Sequence, residues 1–198
     1  ARCRPGLRTG NFGASRERPM LLRRALASVA GAIARPAEPA EANAYLLAHA
    51  LLLDGSLRRL TGRCILPAGA QAEDARRLAA DGDIVVVSHG VELPEPVFNY
   101  ANRAARELWE LEWDAFVRLP SSRSAEPVAR SERQRLLDEV RAHGFIADYT
   151  GVRVSATGKR FRISEAVVWD VRDEHGVLHG QACTFERARV EPLDSSCP

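Results

Sequence analysis

Lysine is all but missing from this chain: Lys159 stands alone, and arginine carries the rest of the positive charge. With abundant alanine, that preference reflects a GC-rich genome rather than a chemistry. The formal net charge is only +2, which implies no obligate nucleic-acid partner. No run of about 18 apolar residues occurs, so no membrane-spanning helix is written into the sequence. Cys3, Cys64, Cys183 and Cys197 lie far apart, without a CxxC and without clustered histidines. That pattern predicts four free thiols in a reducing compartment. A Gly-rich phosphate loop, metal-ligand spacing and paired carboxylates are also missing. Ser88 and His89 are neighbours on a predicted strand and point to opposite faces, which excludes them as a nucleophile–base pair.

Acids are missing from the N-terminus. The first 35 residues hold eight arginines and one acid, Glu17. Residues 20–30 read as an amphipathic basic helix. That composition belongs to an organellar transit peptide, most simply a chloroplast one; the bland alternative is a basic tail on a cytoplasmic protein. Position 1 is not Met, which suggests a fragment or a processed product. Arg35 to Pro39 reads as a linker.

What is present is a sheet. Val152 and Val154 share one face of a predicted strand, with Arg153 and Ser155 on the other. Residues 156–159 turn, and Phe161 and Ile163 return with Arg160 and Arg162 opposite them. Val167, Trp169 and Val171 then alternate with Val168, Asp170 and Arg172. After a turn at 173–176, Val177 to Phe185 is the last strand. Period-two alternation between Gly-containing turns predicts hairpins, and connections this short make them antiparallel. Upstream, Asp83 to Gly90 reads as a buried strand and Val97 to Ala101 as a short one, with Asn102 placed to cap the next helix. That helix runs through Leu108 to Leu111. A further turn, Trp113 to Leu119, stops at Pro120. Ser131 and Gln134 have capping-box spacing and open a helix that ends at Gly144.

Glu41 to Leu60 carries an apolar helical stripe of Tyr45, Leu46, Leu52, Leu53 and Leu57, with a break suggested at Gly55-Ser56. Such a stripe needs a surface to cover: the outer sheet face, in its own chain or in a second one. Tyr45, Leu46, Leu53 and Leu57 are therefore the candidate interface. Gln71 to Ala80 is a second short helix. There is no internal repeat and no strand–helix alternation. The expected fold is α+β: a five-stranded antiparallel sheet of PAS type, short helices on one face, and an N-terminal helical extension. The expected division is an arm over 1–38, a helical extension over 39–82, the sheet domain over 83–187 and a C-terminal tail over 188–198.

Many short motifs in one order then resemble a family. Val87-Ser88-His89-Gly90, Phe98-Asn99-Tyr100-Ala101-Asn102, Leu119-Pro120-Ser121 and Ser124-Ala125-Glu126-Pro127 come first. Gly144-Phe145-Ile146, Asp148-Tyr149, Gly151 to Ser155, Arg160-Phe161, Val168-Trp169 and Gly180-Gln181-Ala182 follow. Together they resemble the MEKHLA domain over about residues 40–187. That PAS-like domain occurs at the C-terminus of class III homeodomain–leucine-zipper proteins of plants and as stand-alone proteins of bacteria, cyanobacteria and algae. Pro94-Glu95-Pro96 and Ser121-Ser122-Arg123 depart from the family pattern, both in loops. Neither a homeodomain nor zipper heptads are found, so the stand-alone type is the one resembled. The resemblance implies a sensory or protein-interaction module and no enzyme.

A cavity between sheet and helices would be lined by Asn99, Tyr149, Arg153, Arg160, Phe161 and Gln181. The competing reading makes the polar members of that set a structural network, with arginines paired to Asp148, Glu165 or Asp170. No cofactor is implied. The adduct-forming cysteine of flavin photoreceptors is missing at Leu108 to Leu111, and His49, His89 and His143 suit structural or surface roles better than haem ligation. Trp109, Trp113, Trp169 and Phe161 are expected in the core or at an interface. The leading functional expectation is a PAS-like module that binds a protein partner or a small ligand. The alternative is a structural subunit or assembly factor of a larger plastid complex.

Overall fold

The computed structural model describes residues 35–125, 136, 138–140 and 142–193. The arm over 1–34, the Ser131/Gln134 capping box, Leu137, Cys3 and Cys197 lie outside the described residues.

The apolar stripe folds as a short 3-10 segment, Glu41–Leu46, followed by an α-helix, α1, Leu47–Thr61. The stretch is not one helix, because Asn43, Ala44 and Tyr45 leave helical geometry. Gly55-Ser56 makes no break in α1. Ser56 is buried and satisfies its hydroxyl by donating to the Leu53 carbonyl at 3.0 Å. Gly62 stops α1 in the left-handed region at φ 73, which glycine enters without a Cβ penalty. Asp54 ties down the chain that follows. Its Oδ1 accepts the Ile65 and Leu66 amides at 2.8 and 3.0 Å. Helix α2, Ala72–Ala79, leads into strands β1, Ile84–His89, and β2, Phe98–Ala101. Asn102 caps α3, Arg103–Trp109, as its type predicts, by accepting the Ala105 amide. The same oxygen accepts the Val86 amide at 3.1 Å, and Nδ2 donates to the Ile84 carbonyl at 2.6 Å, so the cap also pins α3 to β1. A one-turn helix, α4, spans Trp113–Phe116. Strands β3, Phe145–Val154, β4, Arg160–Arg172, and β5, Leu178–Glu186, complete the predicted hairpins.

The sheet order is β2-β1-β5-β4-β3, and every pairing is antiparallel. This is the α+β, PAS-like arrangement expected. Two parts differ. Val190–Leu193 is a sixth strand, β6, paired with the start of β4, where a tail is expected. The linker is docked as well: Trp113 Nε1 donates to the Pro36 carbonyl at 3.0 Å, and Arg106 pairs with Glu38 at 2.6 Å. The described residues from Arg35 onward form one compact unit, so the 39–82 segment is part of the same body as the sheet.

A kink in β4 decides what each face carries. Glu165 adopts φ 53 where the β3 register slips, with Gly151 opposite Ile163 but Tyr149 opposite Ala166. A residue inserted into a period-two strand moves everything after it to the opposite face. Phe161 and Ile163 therefore share the inner face with Ala166, while Val167, Trp169 and Val171 turn outward. Helix α1 lies on that outer set in its own chain. Ala50, Leu53 and Leu57 are buried with Val86, Trp169 and Val171, and Trp169 Nε1 donates to Ser56 Oγ at 3.0 Å. At 0% and 1% exposure, Leu53 and Leu57 are not available to a second chain. The interface expectation is corrected for these two by intrachain burial; Tyr45 and Leu46 are half-buried against the same cluster.

Candidate functional site

The inner face holds a cavity of about 70 Å³ between the sheet and the helical residues Leu136 and Val140. That is several times the roughly 10–15 Å³ that one water requires by this measure. Val87, Phe98, Ile146, Ile163, Val168 and Phe185 are among the apolar side chains of its wall. His89, Ser121, Ser124, Tyr149, Arg153, Gln181 and Cys183 add polar groups; Ser88 also borders the cavity, but its hydroxyl bonds to Asn99.

Three of the six predicted lining residues meet here: Tyr149, Arg153 and Gln181. Three do not. Asn99 sits at the bulge in the β1–β2 register, and its Oδ1 accepts Ser88 Oγ at 2.6 Å. Phe161 is core, edge-on to Trp109 with ring centroids 5.3 Å apart. Arg160 is exposed at the β4 end that pairs with Val154 and Leu193.

The expected arginine pairing is also redistributed. Asp170 takes Arg172 at 3.0 Å and the Gln181 amide at 3.1 Å, and Glu165 takes Arg189 at 3.0 Å. Among the described residues Arg153 meets no carboxylate. Its Nη2 donates to the Tyr149 hydroxyl and its Nη1 to the Val152 carbonyl, each at 2.9 Å. Burial pushes the Cys183 thiol up to about 12, against the opposing pull of Arg153, so that wall residue is neutral near pH 7. His89, at the end of β1, and Trp109, at the end of α3, line the cavity without having been singled out for it. The position of Trp109 depends on how α3 folds back on the sheet, which strand alternation does not encode; His89 follows Val85 and Val87 at the strand period of two. Gly151 between Tyr149 and Arg153 is the signal that was available: i, i+2 and i+4 share a strand face, and the glycine leaves room between the other two.

On the outer face, His49 Nε2 meets Ser88 Oγ at 2.9 Å and its ring lies 5.6 Å from that of Tyr100. Burial first, and neighbouring His179 second, push the His49 imidazole down to about 4. A base whose folded pKa is depressed contributes stability that is whole above its unfolded pKa near 6.5 and is lost as pH falls toward the folded value. Unfolding free energy is therefore expected to drop by about 2 kcal/mol from pH 7 to pH 5. Glu73, Glu110 and Asp173 are held near 2 by their hydrogen-bond partners, so their contribution is lost only as pH falls from the ordinary carboxylate values toward 2, beneath this window. Urea titrations of the parent and His49→Gln proteins at both pH values check this. The loss should nearly vanish in the variant; an equal loss in both would remove His49 as its source.

Among the described residues no helix is long and apolar enough to cross a membrane, and no group of three His, Cys, Asp or Glu side chains is placed to hold a metal. The MEKHLA domain profile matches residues 47–190. No curated protein matches the chain. Among solved structures it is similar to the PAS domain of a Colwellia psychrerythraea protein, with TM-score 0.49 and 12% identity over 61% of this chain and 94% of that one. It is also similar to a Rhodobacter sphaeroides LOV protein, with TM-score 0.44 and 12% identity over 56% and 61% of the two chains. A fungal LOV domain photoreceptor gives TM-score 0.46 and 15% identity over 70% and 89%.

Proposed function

The chain belongs to the MEKHLA domain family, and from that premise we propose that it is a PAS-like sensory module that holds a small ligand and catalyses nothing. The inner-face cavity carries this reading: an apolar wall with a few convergent polar groups is the usual form of a small-molecule site. Cys183 is no nucleophile here, since a thiol held that high stays protonated near pH 7. Occupancy has a route outward. Gln181 lines the cavity and also an open groove on the surface, where Val91, Leu93 and Leu178 are exposed. A protein partner reads the ligand at that groove. Residues 1–35 direct the chain to an organelle, a chloroplast first, on composition alone; a fluorescent fusion of that segment would test the destination.

Native mass spectrometry of the protein recovered from its source tests the ligand. A non-covalent mass should be bound and should leave on denaturation. Val168→Phe, which fills the cavity, should recover without it while melting near the parent temperature. No adduct in the parent, or the same adduct in both, would defeat the proposal.

A further inference from the structure

We infer that the cavity is built for a short-chain monocarboxylate, its carboxylate on Arg153 and Tyr149 and its alkyl chain against Ile146, Ile163 and Val168. This rests on the cavity reading above and gives its ligand a chemical class. Gly151 makes the head-group site. A Cβ placed there would lie 2.1 Å from the Tyr149 hydroxyl and 3.2 Å from Arg153 Nη1. The phenol thus lies back across the glycine and reaches the guanidinium, whose carbon stands 5.2 Å from the ring centroid. Because Tyr149 accepts from Arg153, its own O–H is left to donate. The guanidinium has five N–H donors, and two are engaged, by Tyr149 and Val152. A carboxylate is the group that takes an O–H and charge-assisted N–H donors together.

Among the described residues Arg153 has no acidic partner, and neighbouring Cys183 is held neutral by burial. Trp109, on the same cavity wall, buries an Nε1–H that finds no acceptor among the described residues. Buried donors of this kind are ordinarily satisfied, by ligand or by water. One guanidinium beside the apolar side chains of Ile146, Ile163 and Val168 sets the class. A second carboxylate would be stripped of water against Ile163 and Val168 with no partner. The volume of about 70 Å³ keeps the chain short.

Calorimetric titration of the full chain with butyrate, butyramide and 1-butanol tests this. Butyrate should bind at least about tenfold tighter than butyramide, the gap expected of a charge-assisted pair. In Arg153→Gln the gap between butyrate and butyramide should close. Tyr149→Phe, which keeps the ring and loses the O–H, should narrow the gap. Butyrate binding no better than butyramide in the parent protein would overturn the assignment and leave the cavity reading intact. An unchanged gap in Arg153→Gln would do the same. Failure of all three compounds to bind would defeat the assignment together with the cavity reading.

Discussion

Trp169→Ala is expected to lower the unfolding free energy by about 3–5 kcal/mol, the range for truncating a fully buried aromatic. Trp169 has no exposed surface and lies between β4 and α1, among Leu53, Leu57 and Val171. Its indole N–H is spent on Ser56, and Ser56 Oγ in turn donates to the Leu53 carbonyl. Truncation thus opens a cavity and removes a donor from a buried hydroxyl. Trp169→Phe, which keeps most of the volume, should cost less than half as much. Chemical denaturation of the three proteins reads this directly. A loss below about 1 kcal/mol for alanine would mean that α1 does not cover this residue.

The strands around Trp169 were legible, but the side of the sheet it faces was not. Alternation identified Phe161 and Ile163 as one set and Val167, Trp169 and Val171 as another. Nothing in a period-two pattern says that the two sets face opposite ways. That follows from Glu165 at positive φ, a conformation costly for a residue with a Cβ and sustained by the ladders on both sides. The same limit explains the candidate site. Arg153 and Gln181 were reachable because each lies in a regular stretch of strand; Tyr149 sits between two register shifts and was reachable because it, Gly151 and Arg153 follow one another at i, i+2 and i+4. Asn99 was misplaced because the β1–β2 register shifts beside it, and Phe161 because its partner Trp109 arrives from a helix. The extra strand β6 was missed for another reason. Val190-Glu191-Pro192-Leu193 is short and contains a proline, features that suit an edge and make a weak sequence signal.

Leu53→Glu is the harsher change. Leu53 is fully enclosed between α1 and the sheet, so a carboxylate there loses its water with no positive partner to receive it. The expected loss exceeds about 4 kcal/mol, the lost packing and the buried charge acting together. That is a large part of the 5–15 kcal/mol holding a typical domain folded. Because α1 covers its own sheet, sedimentation should show unchanged mass for whatever fraction stays folded. A fall from dimer to monomer at unaltered stability would instead mean that α1 is exchanged between chains. An unaltered melt and mass together would remove α1 from the core altogether.

The central claim is that the inner cavity of this MEKHLA domain receives a small ligand. Methyl NMR during titration with butyrate tests it most directly, because the two sheet faces carry separate reporters. Val87, Val140, Ile163 and Val168 line the cavity, while Val167, Val171 and Leu57 belong to the outer cluster under α1. The account predicts saturable shifts in the first set and little movement in the second. Shifts confined to the outer set, or none at any concentration, would contradict it.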